Sequence, residues 1–204
     1  MNYLAHIFLS GQNPGVQIGA FIADFVKGNR LHRFPEPIRR GIVLHRQVDS
    51  FTDNHEHFRT LVHLLRPIFG KYSGIIADIY FDHFLAVHFS RYSNLSLRFF
   101  ALRFYLYTIL HYYHLPARVK RFIFHFAGTN RLMKYRSIEG LHSSLTIMSN
   151  YKSSALNPQQ IICFLEENYP VIEQQFLIYF PYVQQFADIE LKRHAQPCKS
   201  CLNN

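Results

Sequence analysis

The chain has 204 residues, 49% of them hydrophobic, and its 22 Lys and Arg outnumber 13 Asp and Glu for a formal net charge of +9 at pH 7. That apolar content is enough for a real core, which excludes disorder by composition, and three Cys exclude a disulfide framework. So basic a balance predicts an anionic partner: an acidic protein, a phosphorylated ligand, nucleic acid or an anionic membrane.

Apolar residues recur at spacings of three and four along almost the whole chain, which predicts helices and no sheet. Residues Val16 to Val26 form an apolar segment ending near Gly28, and Pro37 opens the next helix through Ile38, Ile42 and His45. Asp53 and Glu56 have the spacing of a capping box for a helix that Pro67 and Gly70 end. Ile75 to Phe89 reads as a fourth helix, and Asn94 or Ser96 caps a long aromatic one to about His114. The helical spacing of those aromatics predicts core packing rather than a base-stacking surface. Pro116 starts a short helix closed by Gly128, and Ile138, Leu141, Leu145 and Met148 mark another. Asn157-Pro158 is a cap followed by a first-turn proline, and Pro170 opens the last helix, which Pro181 should kink. Short connections predict a single all-α domain over residues 1–194, with a disordered tail over 195–204 that carries Cys198 and Cys201. No basic residue precedes the first apolar run and His6 interrupts it, so no signal peptide is expected. No apolar run approaches the ~18 residues that span a bilayer. The expected location is the cytoplasm.

The informative residues are carboxylates and histidines inside apolar helices. Asp78 and Asp82 are four apart on one face of a helix that is hydrophobic nearly all round. Two buried like charges repel and each loses hydration, so a cation is expected between them, either a metal or an Arg. His83 follows directly and could supply a nitrogen ligand or a proton. His45 and Asp49 repeat the four-residue spacing, with Arg46 adjacent and Asp53 one turn beyond. Asp24 and His6 each stand alone in an apolar run. A mixed shell of imidazole nitrogen and carboxylate oxygen suits Mn²⁺, Fe²⁺, Mg²⁺ or Zn²⁺. The bland alternatives are a hydrogen-bonded core His6, an N-cap at Asp53 and an Arg-paired Asp49. No P-loop, GxGxxG or Gly-x-Ser-x-Gly pattern occurs. From His83 to Ile138 there are nine Lys and Arg, Arg118, Lys120 and Arg121 among them, and no acid. That run predicts either a solvated surface or a docking face for an acidic partner.

Four ordered motifs carry a resemblance. They are Met1-Asn-Tyr-Leu-Ala-His6, Gly19-Ala-Phe-Ile-Ala-Asp24-Phe-Val-Lys-Gly28, Gly41-Ile-Val-Leu-His45-Arg46-Gln-Val-Asp49-Ser-Phe-Thr-Asp53, and Asp78-Ile-Tyr-Phe-Asp82-His83-Phe-Leu-Ala86-Val-His88. Together they resemble the acyl carrier protein phosphodiesterase family over the first 90 residues, and more weakly to Met148-Ser149. Phe89 departs from the family's expected Trp, and Asn150-Tyr151 from its usual basic residues. The resemblance implies a helical fold similar to HD-type metal phosphohydrolases and a divalent cation, typically Mn²⁺. The implied reaction hydrolyses 4′-phosphopantetheine from holo-acyl carrier protein, an acidic partner for the basic run; no nucleic acid is expected. On that footing Asp24, His45, Asp78 and Asp82 are expected to hold one or two ions, with His6 and Asp49 as further ligands or supports behind them. Arg46 or Lys27 would neutralise the phosphate, His83 would protonate the leaving serine oxygen, and Asp53 would orient or cap. Arg118, Lys120 and Arg121 would meet the carrier protein. Two other readings stay open: a metal phosphohydrolase of a nucleotide or other small phosphoester, and a non-enzymatic module that binds acidic proteins.

Overall fold

In a computed structural model, residues 2–28, 30–152 and 156–195 are described. Twelve α-helices and no strand occur among them. In chain order they are α1 (Tyr3–Leu9), α2 (Pro14–Ile22), α3 (Glu36–Asn54), α4 (Glu56–Phe69), α5 (Ser73–Val87) and α6 (Phe89–Tyr92). There follow α7 (Leu97–Leu110), α8 (Ala117–Gly128), α9 (Arg131–Lys134), α10 (Ile138–Lys152), α11 (Pro158–Glu167) and α12 (Tyr169–Ala195). The all-α expectation holds, and no described helix is long and apolar enough to cross a membrane.

Local chemistry explains most ends. The Asn157 side chain accepts from the N–H groups of Gln159 and Gln160, with Pro158 in the first turn. Ser96, rather than Asn94, caps α7 by accepting from Phe99 N–H. Gly70 ends α4 at φ +53°, a backbone conformation that suits glycine. Two boundaries differ from the sequence reading. Asp53 does not cap α4: it lies in the last turn of α3, and His55 is the α4 cap residue. The capping-box spacing fails because α3 runs on to Asn54. Pro67 sits inside the last turn of α4 instead of ending it. Pro170 lies in the first turn of α12, as expected, and the helix runs from Tyr169 through Pro181 to Ala195. The tail bearing Cys198 and Cys201 lies outside the described residues.

α5 is buried on nearly every side, as its sequence predicts, and packs against α1, α4 and α12. Its Phe81 meets Phe176 and Tyr179 of α12 at ring-centroid separations of 5.6 and 5.2 Å. Each such ring buried contributes about 1.5–3 kcal/mol. α12 also reaches α3, where the Tyr179 and Thr52 hydroxyls lie 2.6 Å apart and Gln47 donates to the buried Glu190.

α2 packs closely against α3. A Cβ on Gly19 would strike the Ile38 carbonyl oxygen, and one on Gly41 would strike that of Val16. The two glycines therefore let the backbones touch. This contact sets the end of α2, and the short 3₁₀ turn Ala23–Phe25 after it, beside the middle of α3.

The aromatic α7 follows the core expectation on one face alone. Phe100, Phe104 and Tyr105 are buried, while Phe99, Leu102, Leu106 and Leu110 face solvent.

Candidate metal centre

His6 of α1 and His45 of α3 stack face to face, with ring centroids 3.7 Å apart and planes 20° from parallel. Asp49, one turn after His45, bridges them: Oδ1 is 3.0 Å from His6 Nε2 and Oδ2 is 3.1 Å from His45 Nε2. Asp24, from the turn after α2, brings Oδ1 to 3.3 Å from His45 Nε2. Ligand atoms of His6, His45 and Asp49 all lie within 4.8 Å of one another. Both histidines are buried, whereas the Asp24 side chain is 69% exposed and marks the mouth.

Two observations show that these residues fit a divalent cation. His6 Nε2 is close to Asp49, yet no ring N–H of His6 is aligned on a hydrogen-bond partner among the described residues. His45 Nδ1 is likewise buried without one. The short contacts thus bring nitrogen and carboxylate donors of three residues within reach of one ion. Two imidazoles with carboxylates also form the intermediate nitrogen-and-oxygen donor set of Mn²⁺, Fe²⁺ or Zn²⁺.

The electrostatics agree. Burial opposes a charge on His45, but hydrogen bonds to Asp24 and Asp49 outweigh it and raise its pKa to about 9. Burial first, then the charge on His45, lowers His6 to about 3. Burial opposes the Asp49 charge too, yet the two imidazoles hold its pKa well below the usual carboxylate range. One positive charge is thus held on His45 among carboxylates, in competition with any cation.

The other sequence candidates lie around this cluster. Asp82 is fully buried, and its two oxygens accept from Leu4 N–H at 2.8 Å and Ala5 N–H at 3.0 Å. It caps the N-terminus of α1 from a distant helix and so sets the position of His6. Burial raises its pKa to about 7 against the pull of those two N–H groups. Burial also raises Asp78, and the charges of Asp49 and Asp53 raise it further, which places all three within electrostatic range.

His83 is not brought into the cluster. Its Nδ1 is 2.7 Å from the Tyr135 carbonyl oxygen and its Nε2 is 3.1 Å from the Tyr169 hydroxyl, and burial lowers its pKa. Arg46 donates to the carbonyl oxygens of Val26 and Gly28 at 2.9 and 3.2 Å, bracing the loop after Asp24. Lys27 and Arg118 line a cavity of about 490 Å³ that has Asp24 in its wall. The sequence reading missed Arg33, a third cation of that wall. Only its place in a basic chain hinted at it. Lys120 and Arg121 lie beyond the wall on α8, the first half-buried and the second exposed.

A model of the acyl carrier protein phosphodiesterase family matches residues 1–183. The chain belongs to this family. It is 28% identical over 182 residues to the acyl carrier protein phosphodiesterase of Yersinia pestis, covering 89% of this chain and 94% of that one. The Serratia proteamaculans (strain 568) protein of the same name is 28% identical over 188 residues, covering 92% and 97%. That of Escherichia coli O6:K15:H31 (strain 536 / UPEC) is 30% identical over 193 residues, again covering 92% and 97%. No solved structure matches the chain significantly. Family membership makes the protein an enzyme, a phosphodiesterase of the hydrolase class.

Proposed function

We propose that the protein hydrolyses the phosphodiester joining 4′-phosphopantetheine to a serine of holo-acyl carrier protein, releasing the apo-protein. The observation that carries this reading is the His6, His45, Asp49 and Asp24 cluster opening beside a cavity walled by cations. These four residues would hold a divalent cation, Mn²⁺ by preference, and Asp78 is the further carboxylate on which a second ion would draw. The bound cation supplies a Lewis acid for a phosphoryl oxygen and lowers the pKa of water.

Lys27, Arg33 and Arg118 compensate the charge of the phosphodiester in the cavity. Arg46 acts as a positioning residue by fixing the Val26–Gly28 loop that carries Lys27. Asp82 positions His6 through α1. A helical frame with this His and Asp set supports a likeness to the HD-type metal phosphohydrolases. The acidic carrier protein gives the acid-free run from residue 83 to 138 a partner.

The test is the intact mass of holo-carrier protein incubated with the enzyme and Mn²⁺, with and without EDTA. Loss of the phosphopantetheine group that EDTA abolishes is the expected result. An unchanged mass with a protein that binds Mn²⁺ would redirect the site to another phosphoester.

A further inference from the structure

α7 turns large apolar side chains to solvent on the face opposite its core residues. Phe99, Leu102, Leu106, Ile109 and Leu110 are 45 to 69% exposed. At 3.6 residues per turn they share one arc of roughly 100°. Leu97, Phe100, Phe104 and Thr108 fill the core on the opposite side. An apolar stripe of this kind on a surface marks an interaction site. Arg98 and Arg103 border it, one on each side.

The stripe also leads somewhere. At its C-terminal end Tyr113 is 86% exposed, and Lys120 Nζ lies 5.7 Å from its ring and 5.1 Å from that of Tyr112. Next along the chain, His114, Leu115 and Arg118 line the cavity that Asp24 shares. An apolar track bordered by cations therefore runs to the rim of the candidate site.

We propose that this outward face of α7, with Arg98, Arg103 and Lys120, is the docking ledge for the acidic carrier protein. The proposal rests on the function proposed above. Charge complementarity favours an acidic partner, since no acid occurs between His83 and Ile138. Continuity with the cavity favours a protein that carries the reacting group on a short arm. A lipid surface needs no such continuity.

The test combines Leu102→Gln, Leu106→Gln and Leu110→Gln. All three side chains are exposed and Gln is a good helix former, so the fold is retained, checked by a thermal melt. KM for holo-carrier protein should rise tenfold or more, with kcat and Mn²⁺ affinity unchanged. An unchanged KM overturns the docking face and leaves the reaction standing. The docking face is equally overturned if KM holds while the variant loses binding to phosphatidylserine vesicles, or loses a dimer seen by sedimentation. Wild-type enzyme that leaves holo-carrier protein intact sinks the functional reading itself, and the ledge with it.

Discussion

Two regions of this molecule invert the usual division between inside and outside in opposite ways. In α1, α3 and α5 the interior holds ionisable groups: His6, His45 and Asp82 are buried among Leu, Ile and Phe. In α7 and α8 the surface holds the apolar ones, with Leu102, Leu110 and Phe124 in solvent. Each inversion costs free energy, since buried charges lose hydration and exposed apolar area stays wet. In the proposed function the first cost is offset by hydrogen bonds and by a bound cation, and the second by a docked partner. On that proposal the difference separates chemistry from recognition along one chain.

The contrast is most exposed to test at the interior cluster. His45→Ala removes the nitrogen shared by Asp24 and Asp49. Turnover should fall on the order of a thousandfold, about 4 kcal/mol of transition-state stabilisation. Steady-state kinetics at saturating Mn²⁺ measure it.

A smaller loss follows from the cap. Asp82→Ala leaves the Leu4 and Ala5 N–H groups unpaired inside the protein and should lower stability by about 3 kcal/mol, read by urea unfolding. Gly41→Ala should cost about 1–3 kcal/mol because its methyl group meets the backbone of α2.

The pH dependence probes the electrostatics of the interior region. With no cation bound His45 keeps its proton up to about pH 9, so cation binding must displace it. Below that pH, Mn²⁺ affinity should rise about tenfold per pH unit, measured by calorimetry in buffers of different ionisation enthalpy. His45 is raised on folding, so its contribution to the cation-free fold is complete below its unfolded value of 6.5. That contribution is lost as pH climbs through about 9, and denaturation midpoints over this window should fall.

The smallest effect belongs to the surface. Arg121→Gln on the exposed side of α8 should raise KM for the carrier protein only a few-fold, and added salt should erase the difference.

What was legible in the sequence follows from range. The Asn157-Pro158 cap, the buried α5 and the paired facing of His45 and Asp49 are local patterns, and the helix repeat alone determines them. The same repeat put Asp78 and Asp82 on one face but could not say what each meets. Asp82 meets backbone N–H groups 77 and 78 residues away, which no spacing encodes. Gly19 and Gly41 carry no local signal of their contact, because the backbone that each touches belongs to another helix. The outer face of α7 escaped for a related reason. A helix apolar all round reads as core, and only the tertiary arrangement decides which side is left uncovered.

The proposed chemistry stands on His6, His45, Asp49 and Asp24 holding the catalytic cation. Crystals grown with Mn²⁺ and measured at a wavelength where manganese scatters anomalously would locate that cation without reference to activity. The strongest anomalous peak is expected within bonding distance of His6 Nε2, His45 Nε2 and an Asp49 oxygen. A strongest peak bonded instead to Asp82, or no peak near the histidine pair, would contradict the assignment.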